Sequence, residues 1–232
     1  MGPSDGSMDK LHLKATRNLL QLPLLVGALI FLPAGTLDYW QAWLFTIVFF
    51  ACALAITVYL ALKDPELLER RMRAGPGAET EPAQKIIMVV ALLSLAALPV
   101  VSAIDYRLGG SQVPSAVVIL GDVLIIIAYL GIYFVFRENS YSAATIQIAE
   151  GQKVISTGPY AVIRHPMYSW ALLMLLGIPL ALGSWFGLLM LVPAVAGIVW
   201  RLQDEERFLA KNLPGYSEYR RKVQYRLLPF VW

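Results

Sequence analysis

The chain has 232 residues, of which 58% are hydrophobic and only 15% charged, with a mean hydropathy of +0.62. That balance leaves too little polar surface to cover a water-soluble globule and predicts an all-α, polytopic membrane helix bundle. The net charge of +3 and pI near 9.0 imply attraction to anionic lipid headgroups rather than a nucleic-acid footprint.

The first residues, Met1 to Asp9, are small and polar and lack the apolar stretch and cleavage site of a removed signal peptide, so 1–17 is expected to form a cytoplasmic arm in which His12 is exposed. Apolar length and Pro, Gly and charge punctuation then predict about six membrane segments. They run from Leu19 to Leu32, Trp40 to Leu62, Ile86 to Ile104, Ser115 to Phe136, Tyr168 to Leu182 and Trp185 to Trp200. The single cysteine, Cys52, falls inside the second segment, is expected to be a small buried core residue and excludes an intrachain disulfide. The connection from Arg70 to Pro82 is broken by Gly and Pro and carries both charges; it reads as a solvated connection, with a lid as the alternative. Asp122 lies well inside the fourth segment, where an ionised carboxylate normally faces a partner, and is expected to make a structural hydrogen bond. The last two segments meet at Gly183-Ser184 and form a short hairpin whose arms Pro179 and Pro193 are expected to bend. Trp40, Trp43, Trp185 and Trp200 fall at predicted segment ends and read as interfacial anchors.

Lys and Arg concentrate in the N-terminal arm, the 63–85 connection, the stretch after the fourth segment and the tail, whereas the opposite side holds only Arg107. The positive-inside rule then places both termini in the cytoplasm, with an even number of spans. The chain 1–232 reads as one membrane domain with a cytoplasmic helical tail over 201–232. No Cys/His cluster has metal-ligand spacing, so no metal is expected.

The chemistry-bearing residues gather in two places, at the two cytoplasmic ends of the terminal hairpin. One is the loop leading through Gly158-Pro-Tyr160 to Arg164-His165-Pro166-Met167-Tyr168; Pro166 suits the first turn of a helix, where its missing N–H loses nothing. The other is Arg201-Leu-Gln-Asp204-Glu205-Glu206. Antiparallel arms joined by a short turn bring such ends side by side, and Arg201 and Glu205, four apart, share a helix face. Taken alone, that pair reads as a surface ion pair snorkelling from the membrane edge rather than as part of a site.

The order Gly158-Pro-Tyr160, Arg164-His165-Pro166-Met167-Tyr168, hairpin, Arg201, Glu205-Glu206 and Tyr216-Ser-Glu-Tyr219-Arg-Arg-Lys-Val223 resembles the isoprenylcysteine carboxyl methyltransferases and their phospholipid-methylating relatives, over roughly Asn139 to Trp232. Ser169-Trp170 departs from that pattern, in which one residue and then a glycine follow the tyrosine. Sterol and steroid reductases carry a similar Arg-His-Pro run, but with Asn after the proline and Gly-Glu after the aromatic residue; Met167 and Ser169-Trp170 point away from that branch.

The resemblance implies S-adenosylmethionine as methyl donor, S-adenosylhomocysteine as product, and 138–167 as the cytoplasmic cofactor-binding loop. By it, Gln152, Lys153, Val154, Ile155, Tyr160, His165, Pro166, Met167 and Tyr168 would hold the cofactor, joined by Glu205 from the other arm. Glu206, about 100° further round the helix, would fix the local fold or pair with Arg164. Arg201, whose guanidinium offers two parallel donors, is the natural clamp for an acceptor carboxylate. Expected partners are the lipid bilayer and a small amphiphilic or prenylated acceptor, with no nucleic acid. An isoprenylcysteine-type carboxylate comes first, a phospholipid amine second and a small thiol third. A nicotinamide-dependent reductase and a non-catalytic membrane protein are the rivals from other classes. Neither the oligomeric state nor the particular membrane follows from the sequence.

Overall fold

The computed structural model describes residues 5–79 and 82–232, and the side chains from Asp9 onward other than Lys10. Met1 to Ser4 of the predicted arm, and Thr80 and Glu81 of the Arg70–Pro82 connection, lie outside the described residues. The fold is all-α, with no strand among the described residues. Its helices are α1 (Asp5–Ala34), α2 (Trp40–Lys63), α3 (Pro65–Met72), α4 (Pro82–Leu108), α5 (Ser115–Glu138), α6 (Pro166–Ala181), α7 (Leu191–Asn212) and α8 (Tyr216–Lys222). Five segments, Leu11–Ala34, Trp40–Lys63, Pro82–Leu108, Ser115–Glu138 and Phe186–Asn212, are long and apolar enough to cross a membrane. The sixth predicted segment is α6, an apolar helix of 16 residues.

Short connections link α1 to α2, α4 to α5 and α6 to α7, and they gather at one end of the bundle. There Tyr39 donates to the Leu182 carbonyl (2.5 Å), Tyr106 to the Asp38 carbonyl (2.5 Å) and Ser184 to Asp105 Oδ2 (2.5 Å). The long connections, 64–81 and 139–165, gather at the opposite, basic end. Large apolar side chains such as Leu24 (73% exposed) and Val192 (71% exposed) cover the outer faces, as a lipid-solvated surface requires. Trp40, Trp43 and Trp185 are part-exposed near helix or segment ends, whereas Trp200, also part-exposed, lies in the middle of α7 rather than at a segment end.

The closest helix pair is α5 with α6, because glycines let two backbones meet. A Cβ added at Gly121 would stand 2.2 Å from the Ala181 amide nitrogen, and one at Gly177 would stand 2.8 Å from the Gly121 carbonyl. Nearer the basic end, a Cβ at Gly131 would lie 2.0 Å from the Trp170 ring. Small residues at such a seam drive helix association in lipid, where no hydrophobic gain separates one apolar face from another. The Ser169-Trp170 pair has its explanation here: the indole takes space that Gly131 leaves on the facing helix.

Several details differ from the sequence expectation. Helix α1 begins at Asp5, so the described part of the arm 1–17 is helical and continues directly into the first span. Pro193 lies in the first turn of α7, where its missing N–H breaks no α-helical bond, and Pro179 lies inside α6. Cys52 is half-buried and lines an apolar groove between α2 and α5. Asp122 is buried, yet neither carboxylate oxygen has a hydrogen-bond partner among the described residues, so the expected structural bond is not made there.

Candidate active site

The 139–165 connection has no regular structure beyond one 3-10 turn, and side chains rather than a ladder hold it. The Asn139 amide donates to the Tyr160 hydroxyl at 2.9 Å, and Tyr219 of α8 donates to the Tyr160 carbonyl at 2.8 Å. Burial pushes the Tyr160 phenol up to about 12, so the ring presents a neutral hydroxyl. Val154 packs with Tyr160 against Leu213, Tyr216, Tyr219 and Val223, which ties the loop to the tail. Gln152 closes a turn by accepting from the Ala149 amide at 2.9 Å, Lys153 is exposed, and Ile155 is part-buried.

At the mouth of α6, Pro166 occupies the first helical position and His165 the cap. The Arg164 and His165 amides donate to the Tyr225 and Arg226 carbonyls at 2.9 and 3.0 Å, so the tail pairs directly with the Arg-His turn. Arg164 Nε donates to Glu206 Oε1 at 2.6 Å, Arg226 Nε donates to Glu206 Oε2 at 3.1 Å, and His165 Nε2 lies 3.3 Å from Glu206 Oε1. Glu206 is thus a buried anchor for three basic side chains, and Arg164 is further fixed by the Val223 and Gln224 carbonyls.

One residue earlier on α7, Glu205 is only half-buried, and it accepts from the Tyr168 hydroxyl at 2.6 Å. That hydroxyl accepts in turn from Arg201 Nε at 3.1 Å. The His165 and Tyr168 rings stack with centroids 5.7 Å apart, and Met167 packs into the cluster of Leu60, Leu67 and Phe136. The structure therefore gathers His165, Tyr168, Arg201, Glu205 and Glu206 at one end of the α6–α7 pair, with Tyr160 joined to them through the tail.

The guanidinium of Arg201 is fully engaged. Nη1 donates to Gln84 Oε1 at 3.0 Å, while Nη2 donates to Glu79 Oε1 at 2.9 Å and to the Ala144 carbonyl at 2.8 Å. Gln84 donates onward to Asp204, and the second oxygen of Glu79 accepts from the Ile146 amide at 3.2 Å. An acceptor carboxylate reaching Arg201 has to displace Glu79. Glu79 itself is 3% exposed, so the end of the connection packs into the site, while Arg73, Ala74, Gly77 and Ala78 remain exposed as a solvated link would be. Sequence reasoning missed Glu79, Gln84, Arg71 and Arg226. The available signal was the unexplained mixture of both charges in the 70–82 connection. Among the described residues, no group of three or more His, Cys, Asp or Glu is arranged to hold a metal ion.

A helical bundle with several membrane-length helices and a buried polar cluster at its basic end defines a multi-pass membrane protein with a site built from α6, α7 and the loops around them. Residues 116–214 match the phospholipid methyltransferase family, so this segment of the chain is similar to that family. The chain is 28% identical over 110 residues to the cobalt-zinc-cadmium resistance protein CzcN of Cupriavidus metallidurans, covering 45% of this chain and 49% of that protein. It is 31% identical over 105 residues to a delta(14)-sterol reductase of Mus musculus, covering 42% of this chain and 25% of that protein. The chain thus spans about half and about a quarter of these two curated relatives. Arg71, Glu79, Gln84 and Arg226 all lie outside the matched segment.

Proposed function

We propose that the protein is an integral membrane S-adenosylmethionine-dependent methyltransferase acting on a small lipid-like acceptor, with the carboxylate of an isoprenylcysteine-type molecule as its substrate. The observation that carries this reading is the 2.6 Å bond between Tyr168, beside the Arg-His-Pro turn, and Glu205, beyond the last span. Two segments far apart in sequence close on one another with the rings and the carboxylate that such a cofactor needs. The side chains fit the group: Tyr160 and Tyr168 offer flat apolar walls, and half-buried Glu205 offers a carboxylate for hydroxyl or ammonium hydrogens. His165, Pro166, Met167 and the 152–155 backbone supply the remaining wall. When bound, S-adenosylmethionine supplies a methyl group on a positively charged sulfur, which a nucleophile in line with it accepts.

An acceptor that is already a carboxylate needs no base, so the residues act by orienting the two reactants and excluding water. Glu205 holds the cofactor, Glu206 keeps the Arg164-His165 turn in place, and Arg201 orders Tyr168 and the 139–146 loop. The 138–167 loop and the 201–232 tail form the cofactor site, and the positive-inside rule places that end in the cytoplasm with both termini. The groove between α2 and α5, about 250 Å³ and lined by Cys52, Ile56, Tyr59, Ile126, Tyr129 and Tyr133, supports lateral entry of a lipid tail. Phospholipid amine methylation is the second reading, and the family match favours it. An amine must lose a proton, and His165, held beside Glu206, is the group that would take it.

Calorimetry on detergent-solubilised protein tests the proposal. S-adenosylhomocysteine should bind, and Glu205→Ala should weaken that binding about tenfold or more, since it removes acceptors of charge-assisted hydrogen bonds. Binding of a nicotinamide cofactor in its place identifies a reductase. Labelled-methyl transfer to a farnesylated cysteine analogue, an ethanolamine lipid and a small thiol separates the acceptor classes.

A further inference from the structure

Arg71 stands beside the site without an anionic partner among the described residues. It comes from the last turn of α3, a short helix whose start is held by Pro65 at the first position and by the Asp64 side chain accepting from the Leu67 amide. Its guanidinium lies over the Phe136 ring, 5.1 Å from the centroid, and Nη1 donates to the Ala143 carbonyl at 3.3 Å. The next carbonyl along, that of Ala144, accepts from Arg201 at 2.8 Å, so the two guanidinium groups sit on successive peptides of one loop. Phe136 shares a cluster with Met167, the residue before Tyr168, which places Arg71 on the Tyr168 side of the site.

The two arginines differ in charge compensation. Arg201 has Glu79 at 2.9 Å, whereas Arg71 makes no ion pair among the described residues. Its only hydrogen bond there is the long one to Ala143, with a ring face as its other contact. Burial lowers the affinity of this guanidinium for its proton; Tyr168 opposes the shift, and Arg201, a like charge, adds to it. Arg71 is half-buried; a partly desolvated cation without a counter-charge is unfavourable, and a bound anion relieves that cost. Three neighbouring arginines have acidic partners: Arg164 and Arg226 pair with Glu206, and Arg70 pairs with Glu66 while donating to the Ser140 carbonyl.

We propose that Arg71 binds the anionic headgroup of the acceptor, pairing its two terminal nitrogens with the oxygens of a carboxylate or phosphate that enters between Phe136 and Tyr168. The inference rests on the methyltransferase reading and shifts the acceptor clamp from Arg201, which Glu79 occupies, to a residue outside the family-matched segment. Headgroup selection then belongs to the α2–α4 connection, and cofactor binding to the α6–α7 pair.

The experiment is calorimetry in detergent with saturating S-adenosylhomocysteine, using a farnesylated cysteine analogue as free acid, its methyl ester, and an ethanolamine phospholipid. The wild-type protein should bind the acid about tenfold more tightly than the ester, a ratio set by one charge-assisted contact. Arg71→Met should erase that ratio while leaving affinity for S-adenosylhomocysteine and the thermal midpoint unchanged, and Arg71→Lys should retain part of it. If Arg71→Met instead weakens only the phospholipid, phosphate is the headgroup recognised, and the proposal stands with that source. An acid preference that survives in Arg71→Met, with phospholipid binding also intact, overturns it, as does a wild-type protein that binds neither lipid anion. Failure to bind S-adenosylhomocysteine counts separately, against the methyltransferase reading.

Discussion

Neighbouring glutamates on α7 have opposite situations. Glu206 is buried and meets Arg164, His165 and Arg226, whereas Glu205 is half-buried and meets a single hydroxyl. Glu206→Ala leaves buried Arg164 without its counter-ion, and the expected loss of stability is about 3 to 5 kcal/mol, read as a large fall in thermal midpoint in detergent. Glu205→Ala should leave that midpoint nearly unchanged and act on cofactor affinity alone. The Arg201–Glu79 pair makes the complementary case. Arg201→Met strands Glu79, which is 3% exposed, and should destabilise the protein by about 3 kcal/mol or more. Adding Glu79→Gln to Arg201→Met should recover part of the loss, and a double-mutant cycle without such coupling would show that the two residues act independently.

Helices α5 and α6 carry the site on a seam of glycines. Because a Cβ at Gly121 would stand 2.2 Å from a backbone nitrogen, Gly121→Ala has to push α6 away, at an expected cost of about 1 to 3 kcal/mol. Gly131→Ala meets a side chain instead, the Trp170 ring, and Trp170→Leu should partly rescue it by vacating that space. Both effects are measurable as shifts in thermal midpoint. Since Tyr168 lies on α6 and Arg201 on α7, Gly121→Ala should also weaken S-adenosylhomocysteine binding without touching any residue of the site. The bounds of α2 and α5 were legible from apolar length and punctuation, whereas α4 extends beyond the predicted Ile86–Ile104 at both ends. The helical start at Asp5 was not, since a polar stretch with ordinary helix propensity gives no periodic signal of its own.

In the whole molecule, short connections gather at one end and long, basic ones at the other, and the candidate site lies at the basic pole. If that pole faces the cytoplasm, a fluorescent reporter fused after Trp232 should be protected from external protease, and a periplasmic-type reporter there should be inactive. The tail belongs to the same pole, because the Tyr225 and Arg226 carbonyls receive the amides of the Arg-His turn. Deleting 224–232 should therefore reduce cofactor affinity, although no residue proposed to contact the cofactor is removed.

By itself the sequence determined the class, the approximate spans and the basic pole, because hydropathy and charge act locally and are read one segment at a time. Through a resemblance in order and spacing it also marked His165, Tyr168, Arg201 and Glu205 as candidates for one site, and the structure brings these side chains together. The pairing of Arg164 with Glu206 was expected from the sequence, but only the tertiary structure decided that Arg201 receives Glu79. A buried charge is neutralised by whatever packs against it, and Glu79 reaches Arg201 from a connection 122 residues away in the chain. The same folding leaves Arg71 beside the site with no such partner among the described residues, an outcome that no local pattern encodes.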